Sequence, residues 1–172
     1  KDVVKLRMVT ERFSSIGSTP SIQLENVFSV VDEAINYLRP RISTKVDIQV
    51  NGYADNIEAM LNKSLFEWVI ENIVKNAVDA MSGTGKIDIS ISRSSESQII
   101  VDIKDNGKGI EPEFAERIFE PKFTTKSSGM GLGLGIIKNI IENYNGHISF
   151  TSTPNQGTTF TLTLPKPENY ES

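Results

Sequence analysis

Apolar residues recur at helical spacing in four stretches of the chain. The longest covers residues 62–81, where a stripe at i, i+4 and i+7 predicts a helix with one face toward a core. That stripe consists of Phe66, Ile70, Ile73, Ala77 and Met81. Residues 1–16 and 132–144 are also predicted to be helical. Residues 27–42 predict a fourth helix, which Pro40 breaks near its end.

The remaining stretches show mainly the two-residue alternation of strands. Strands are predicted for residues 21–26, 45–52, 86–94, 98–105, 147–154 and 157–165. A short helix with Pro112 in its first turn is predicted for residues 111–119. This order, with hairpins late in the chain, indicates an α/β (α+β) two-layer sandwich. We expect one mixed, mainly antiparallel sheet with helices on one face.

Composition narrows the possible chemistry. The 172 residues suffice for one domain that buries roughly 70% of its unfolded surface. The formal net charge of -4 disfavours wholesale binding of nucleic acid or anionic membrane. The absence of cysteine excludes disulfides and thiol catalysis. His147 is the only histidine, and we expect it to be an ordinary surface or half-buried residue.

A polar ridge runs along the helix predicted for residues 62–81. Asn72, Asn76 and Asp79 are spaced i, i+4 and i+7, so they share a face that is rotated away from the apolar stripe. Amide and carboxylate oxygens are ligands that Mg²⁺ prefers. The ridge therefore predicts either a magnesium site or a solvated helix face.

A glycine-containing loop follows the strand predicted for residues 98–105. It carries Asp105, Gly107 and Gly109, and glycine allows positive φ angles and close approach of a ligand to the backbone. Asp105 at the strand end can accept a hydrogen bond from an amino group such as that of adenine. The same residues also fit an ordinary Asn-Gly hairpin turn.

Residues 119–131, "FEPKFTTKSSGMG", combine aromatic residues, lysines, hydroxyls and glycines in a long loop. Such a loop in a compact domain indicates function, and we interpret it as a lid. Gly131 and Gly133 lead into the next helix, whose N-terminal amides suit an anion. The pattern is not a P-loop, because Leu134 or Ile136 stands where the required lysine would be. It is not a dinucleotide fingerprint either, because Ile136 stands where the third glycine would be.

The order of these motifs resembles the Bergerat-fold GHKL ATPase/kinase superfamily, which includes gyrase B subunits, chaperones and sensor histidine kinases. "ENIVKNAVDAM" looks like the N box, "DNGKGI" the G1 box, "FEPKFTTK" the F box and "GMGLGLGI" the G2 box. The chain looks most like the catalytic ATP-binding domain of a histidine kinase. Residues 18–168 would form that domain, residues 1–17 the end of a dimerisation/phosphoacceptor helix, and residues 169–172 a tail.

The resemblance implies ATP and Mg²⁺ as cofactors. Asn76 would ligate the metal, and Asn72 and Lys126 would be catalytic. Asp105 would bind the adenine amino group, and Thr158 would reach adenine through water. The implied nucleotide-binding set is Asn72, Asn76, Asp79, Asp105, Gly107, Gly109, Lys122, Thr125, Lys126, Gly129, Gly131, Leu132, Gly133 and Thr158.

Two departures from the family pattern matter. Asp79 stands where many members carry a lysine or arginine, and the chain has no phosphoacceptor histidine box. Asn72 stands where gyrase-type ATPases have a catalytic glutamate, and Glu71 points about 100° away on a helix. A kinase that phosphorylates a histidine outside this chain is the leading hypothesis. A Bergerat-fold ATPase or anti-sigma-type serine kinase, and a non-catalytic nucleotide-binding module, are the alternatives.

The resemblance also implies partners. They are the dimerisation/histidine-phosphotransfer domain of the same protein and the receiver domain of a response regulator, without nucleic acid. We expect the isolated domain to be monomeric and the full protein to be a homodimer. We expect a cytoplasmic location, whether or not the parent protein is anchored in a membrane.

Overall fold

The computed structural model describes residues 21–52, 57–94, 98–120 and 133–167. The helix predicted for residues 1–16 and the boundaries proposed at residue 17 and at residues 169–172 lie outside these ranges.

Three α-helices and seven strands form the described fold. The helices are α1 (Val27–Leu38), α2 (Lys63–Ala80) and α3 (Gly133–Asn143), with 3₁₀ turns at Arg39–Arg41 and Pro112–Phe114. The strands are β1 (Gln23–Asn26), β2 (Val46–Gly52), β3 (Glu58–Leu61), β4 (Gly85–Arg93), β5 (Ile99–Asp105), β6 (His147–Thr153) and β7 (Gly157–Leu164). Every strand predicted from the sequence is present, and β3 is an additional one.

Asparagine side chains define where the first two helices begin. Asn26 Oδ1 accepts a hydrogen bond from Ser29 N at 2.9 Å, and Asn62 Oδ1 accepts one from Leu65 N at 2.9 Å. Each side chain thus satisfies an amide that the first turn leaves without an intrahelical acceptor. The break expected near Pro40 occurs where α1 gives way to a 3₁₀ turn.

The main sheet has the strand order β2-β4-β5-β7-β6. Only the β2–β4 pair is parallel, and the other three pairs are antiparallel. The short strands β1 and β3 form a separate antiparallel pair. The prediction of a mixed, mainly antiparallel sheet is confirmed.

Alternate residues of the central strands face the helices. On β5, Ile99, Val101 and Ile103 are buried, whereas the side chains between them are half-buried or exposed. The predicted apolar stripe of α2 is buried along its whole length. The core therefore lies between the helices and one face of the sheet, as the two-layer prediction requires. None of the described helices combines the length and the hydropathy needed to cross a bilayer.

One local prediction was wrong, and one interpretation that the sequence left open is excluded. Residues 111–119 form a 3₁₀ turn and successive turns, closed by i→i+3 bonds such as Arg117 N to Phe114 O at 2.9 Å. A short helix is stable mainly through a buried face, and Ile118 is the one buried residue of this segment. The Asn-Gly pair after β5 also does not close a hairpin. The sheet neighbours of β5 are β4 and β7, so the chain leaves the sheet at Asp105.

Candidate functional site

A buried carboxylate marks the end of β5. Asp105 is 5% exposed and continues the alternation of core residues on its strand, so its side chain is directed into the layer between sheet and helices. Its Oδ1 accepts a hydrogen bond from Gly107 N at 2.8 Å. Burial raises the pKa of this carboxyl above its ordinary value of 3.8, and backbone hydrogen bonds from Gly107 and Thr158 offset part of the rise.

The loop of residues 106–110 is attached to the protein on three sides. Asn106 Oδ1 accepts from Lys86 N at 2.9 Å, which links the loop to β4. Lys108 N donates to Ala80 O at 3.0 Å, which links it to the last turn of α2. Asn155 N donates to Lys108 O at 2.6 Å, which links it to the β6–β7 turn. The loop is therefore held rigidly beside the carboxylate.

Both predicted loop glycines are required by contacts within the protein. A Cβ on Gly107 would lie 2.8 Å from the backbone of Ala80. Gly109 has φ +74°, and a Cβ there would collide with the carbonyl of Thr153. The positive φ expected for this motif is present at Gly109. The close approach expected for a ligand is taken, at both positions, by neighbouring backbone.

Asp105 is flanked by a wall that consists of loop 106–110, Thr158 and Ser152. Thr158 is 6% exposed, and its Oγ1 lies 2.8 Å from Ser152 Oγ. Ser152 Oγ also accepts from Ile110 N at 2.7 Å. The sequence suggested a role for Thr158 but none for Ser152, because a serine in a strand of hydroxyl-bearing residues has no distinguishing spacing.

A row of α2 residues leads to the same loop. Asn72, Asn76 and Ala80 follow one another at i, i+4 and i+8, and Ala80 is the residue that contacts loop 106–110. Both asparagines are half-buried. Asn72 Nδ2 donates one hydrogen to Trp68 O at 2.8 Å, and this bond uses neither the second amide hydrogen nor the amide oxygen. The structure thus aligns two predicted polar residues with the loop that holds Asp105.

Asp79, the third member of the polar ridge, is exposed and lines a different depression. This groove of about 520 Å³ lies between α2 and the end of α1. Its lining residues include Tyr37, Arg41 and Lys75. Arg41 stacks over the Tyr37 ring, with its guanidinium carbon 3.8 Å from the ring centroid.

The described part of the predicted lid region is its beginning and the helix after it. Phe119 packs edgewise on Phe150, with ring centroids 5.9 Å apart, and Lys138 Nζ lies 5.6 Å from the Phe119 centroid. Gly133 begins α3, and a Cβ there would meet no described atom within 4 Å. The other lid and cradle residues lie outside the described ranges. They are Lys122, Phe123, Thr125, Lys126, Gly129, Gly131 and Leu132.

His147 and Glu71 have defined positions in the structure. His147 is exposed at the start of the edge strand β6, in agreement with an ordinary surface side chain. Glu71 is 9% exposed and belongs to a different face of α2 from the row of Asn72 and Asn76.

Comparison with known proteins gives a consistent result. The profile of the family described as histidine kinase-, DNA gyrase B-, and HSP90-like ATPase matches residues 62–168. The signal transduction histidine-protein kinase AtoS of Escherichia coli is 34% identical over 167 residues, covering 83% of this chain and 28% of AtoS. Sporulation kinase A of Bacillus subtilis is 41% identical over 112 residues, covering 65% of this chain and 18% of that kinase.

A solved structure extends the similarity to the fold. The nucleotide-free catalytic domain of histidine kinase ThkA superposes with a TM-score of 0.74 at 29% identity, covering 85% of this chain and 96% of that one. The complex of ThkA with the response regulator protein TrrA has a TM-score of 0.77 at 22% identity, covering 99% of this chain and 50% of that chain, and shows the fold alone. The chain spans 18% to 28% of the length of the curated relatives named above.

Proposed function

Because this chain belongs to the histidine kinase-, DNA gyrase B-, and HSP90-like ATPase family, we propose that it is the catalytic ATP-binding domain of a sensor histidine kinase. The domain donates the γ-phosphoryl group of ATP to a histidine on a segment outside this chain. The single observation that carries the proposal is Asp105, a buried carboxylate held by the backbone amides of Gly107 and Thr158 and directed into the layer between the sheet and the helices.

Adenine recognition is the role we assign to the wall around Asp105. An ionised carboxylate is an acceptor only, so it selects a base edge that presents an amino group. Thr158, 6% exposed beside it, contacts the base through water. The glycines of loop 106–110 hold the wall in shape, since the loop packs against α2 and β6 too closely for side chains.

Magnesium fits the chemistry of the donors along α2. Within the described ranges, no three His, Asp or Glu side chains come close enough together to hold a metal ion by themselves. Mg²⁺ typically takes one or two protein oxygens and completes its shell with water and substrate phosphates. The half-buried amide of Asn76 is such a ligand, and Asn72 lies one turn away on the triphosphate side. The ion would neutralise charge on the phosphates.

The remaining assignments follow the resemblance of the lid motifs. Lys126, with Lys122 and Thr125 nearby in sequence, stabilises the γ-phosphate. The backbone at the start of α3 receives the phosphates, through Gly129, Gly131, Leu132 and Gly133. Asp79 is the most peripheral member of the set, because it lines the groove beside α1. Phosphoryl transfer needs mainly positioning and charge stabilisation, which this inventory supplies.

The alternative functions are less well supported. A water-activating carboxylate would favour an ATPase, but Glu71 lies off the row formed by Asn72 and Asn76. The relatives named above are histidine kinases. We also propose the parent protein's dimerisation/histidine-phosphotransfer domain and a response regulator receiver domain as partners. A cytoplasmic location and a homodimeric parent are part of the same proposal.

Nucleotide titration tests the site. We expect calorimetry to detect binding of ADP and of a non-hydrolysable ATP analogue, with Mg²⁺ strengthening binding of the analogue. Asp105→Asn should abolish binding of both nucleotides. Asp102→Asn is the matched control, because Asp102 lies on the same strand but bonds Thr161 Oγ1 at 2.6 Å on the other face of the sheet. A folded wild-type chain that binds neither nucleotide would refute the proposal.

Transfer to histidine needs a second experiment. The chain is extended to include the histidine-bearing segment of its parent protein and incubated with γ-labelled ATP and Mg²⁺. We expect acid-labile, base-stable label on that segment, because phosphohistidine has this stability. Acid-stable label on serine would favour the serine kinase, and release of phosphate without labelled protein would favour the ATPase.

A further inference from the structure

Ser152 connects loop 106–110 to the start of β7. Its hydroxyl oxygen accepts from Ile110 N at 2.7 Å, lies 2.8 Å from Thr158 Oγ1, and lies 3.1 Å from the carbonyl oxygen of Gly157. No motif of the sequence singled this residue out. It nevertheless touches the hydroxyl that the proposed function places beside adenine.

Counting protons decides the direction of these hydrogen bonds. A serine hydroxyl has one proton and two lone pairs. The carbonyl of Gly157 can only accept and the amide of Ile110 can only donate. Only one arrangement makes all three contacts hydrogen bonds at the same time. In that arrangement, the Ser152 hydroxyl accepts from Ile110 N and from the Thr158 hydroxyl, and it donates to the carbonyl oxygen of Gly157. The Thr158 hydroxyl is then the donor in its hydrogen bond to Ser152, so only its lone pairs remain for a ligand or water.

We propose that Ser152 is a positioning residue for recognition of the adenine edge. It fixes the Thr158 hydroxyl as a hydrogen-bond acceptor next to the carboxylate of Asp105. The Asp105 carboxylate and the Thr158 hydroxyl oxygen therefore both act as hydrogen-bond acceptors. A bridging water must donate one of its hydrogens to Thr158, and it donates the other to the ring nitrogen N1 of adenine. This inference rests on the proposed function, since it concerns the same nucleotide site.

The expected size of the effect follows from one oriented hydrogen bond. Without the Ser152 hydroxyl, the hydroxyl proton of Thr158 can rotate. The bridging water then no longer meets an acceptor of fixed orientation. Removing one such bond typically changes an equilibrium by about three- to tenfold. Loss of the bond to Ile110 could weaken nucleotide binding as well, by loosening loop 106–110. The test must therefore separate an effect through Thr158 from an effect through the loop.

A double-mutant cycle makes that separation. ADP affinity is measured by calorimetry for wild type, Ser152→Ala, Thr158→Val and the double variant. Ser152→Thr keeps the hydroxyl and serves as the matched control. A second ligand, 1-deaza-ADP, lacks the ring nitrogen that the water is expected to reach. Thermal unfolding verifies that each variant is folded, and Ser152→Cys replaces Ser152→Ala if alanine impairs folding.

We expect Ser152→Ala to weaken ADP binding about three- to tenfold in the presence of Thr158, and to add little in the Thr158→Val background. Ser152→Thr should stay near wild type, and the penalty should shrink with 1-deaza-ADP. Equal losses in both backgrounds, or no loss at all, would overturn the role of Ser152 while leaving the proposed function intact. Absence of ADP binding by the folded wild-type chain would overturn the proposed function as well.

Discussion

Gly107 lies so close to Ala80 that a Cβ on the glycine would come within 2.8 Å of the helix backbone. The neighbouring hydrogen bond from Lys108 N to Ala80 O fixes the same contact at 3.0 Å. The last turn of α2 and the loop after β5 thus form one unit. Because Asn76 and Asp105 belong to its two halves, this contact sets the distance between the proposed metal ligand and the proposed adenine acceptor.

Gly107→Ala should separate these halves. The added methyl must displace backbone rather than a flexible side chain, so we expect a loss of about 1–3 kcal/mol in the free energy of unfolding, together with weaker ADP binding. Denaturant titration and calorimetry measure the two effects. Gly83→Ala is a useful comparison for added volume, because a Cβ there meets nothing within 4 Å, although its φ of +80° also carries strain. Wild-type stability of Gly107→Ala would contradict the packing.

Asp105→Asn should change how the stability of the folded protein depends on pH. Since burial raises the pKa of Asp105, the folded state favours the protonated carboxyl. The stability linked to this group is therefore complete below the ordinary value of 3.8 and is lost as pH rises through the raised folded-state pKa. The melting temperature of Asp105→Asn relative to wild type should rise across that window. A difference that is independent of pH would count against the shift.

Asn76→Ala and Asp79→Ala should differ in their dependence on Mg²⁺. Asn76 belongs to the row that reaches loop 106–110, and we expect its loss to reduce Mg²⁺-dependent binding of an ATP analogue by at least about tenfold. Asp79 lines the groove beside α1, so its loss should change that affinity much less. Titrations with and without Mg²⁺ distinguish the two variants. Equal losses would place Asp79 within the nucleotide site.

Tyr144→Phe should weaken the junction between α2 and α3. The Tyr144 hydroxyl is within 3.3 Å of both the amide nitrogen and the carbonyl oxygen of Asn62, the residue that caps α2. Removing it from this buried position should cost about 1 kcal/mol in the free energy of unfolding. Denaturant titration at neutral pH measures the change.

The same tyrosine predicts alkaline sensitivity. Burial raises the pKa of Tyr144 to about 12 from an ordinary value of 10.0. The folded state therefore retains a proton that the unfolded chain releases, and the linked stability falls as pH rises from 10.0 to about 12. Wild type should lose stability across this range more steeply than Tyr144→Phe. Parallel curves for the two proteins would argue against the buried, protonated hydroxyl.

Lys126→Ala should affect transfer and spare ADP. A lysine that contacts only the γ-phosphate contributes nothing to ADP affinity, but its loss should slow phosphoryl transfer on the order of 10²-fold. ADP calorimetry and the labelling assay with the histidine-bearing segment provide the two readouts, with Lys122→Ala as the matched variant. Equal weakening of ADP and ATP binding would remove Lys126 from this role.

Local pattern predicted the secondary structure well where one period dominated. The α2 stripe and the alternation of β5 each reflect burial on a single face, which the sequence records directly. The strand β3 was missed because its two-residue alternation is weak: the apolar Met60 lies on the half-buried face, between the buried Ala59 and Leu61. Its partner β1, which is equally short, is remote in sequence, with Gln23 opposite Leu61.

Site residues can be proposed from the sequence where the residue type is unusual for its position, but not where the contacts between distant segments decide. Asp105 was recognisable because a carboxylate ends an apolar strand before two glycines. Ser152 acquires its three contacts only when β6, β7 and loop 106–110 meet in space. The spacing of Asp79 placed it with Asn72 and Asn76, but the packing of α1 against α2 puts it in a groove of its own.

The position of β7 has a consequence for the order of folding. β7 is the last described strand along the chain, yet it lies between β5 and β6, and Ile99 on β5 pairs with Leu164 on β7. On a ribosome, β5 and β6 would therefore be synthesised before the strand that joins them. Thr158 lies on β7, so the proposed nucleotide site is complete only after the segment between β5 and β7, which includes α3 and β6, has brought these two strands together. Such a long-range pairing favours slow, late assembly of the site.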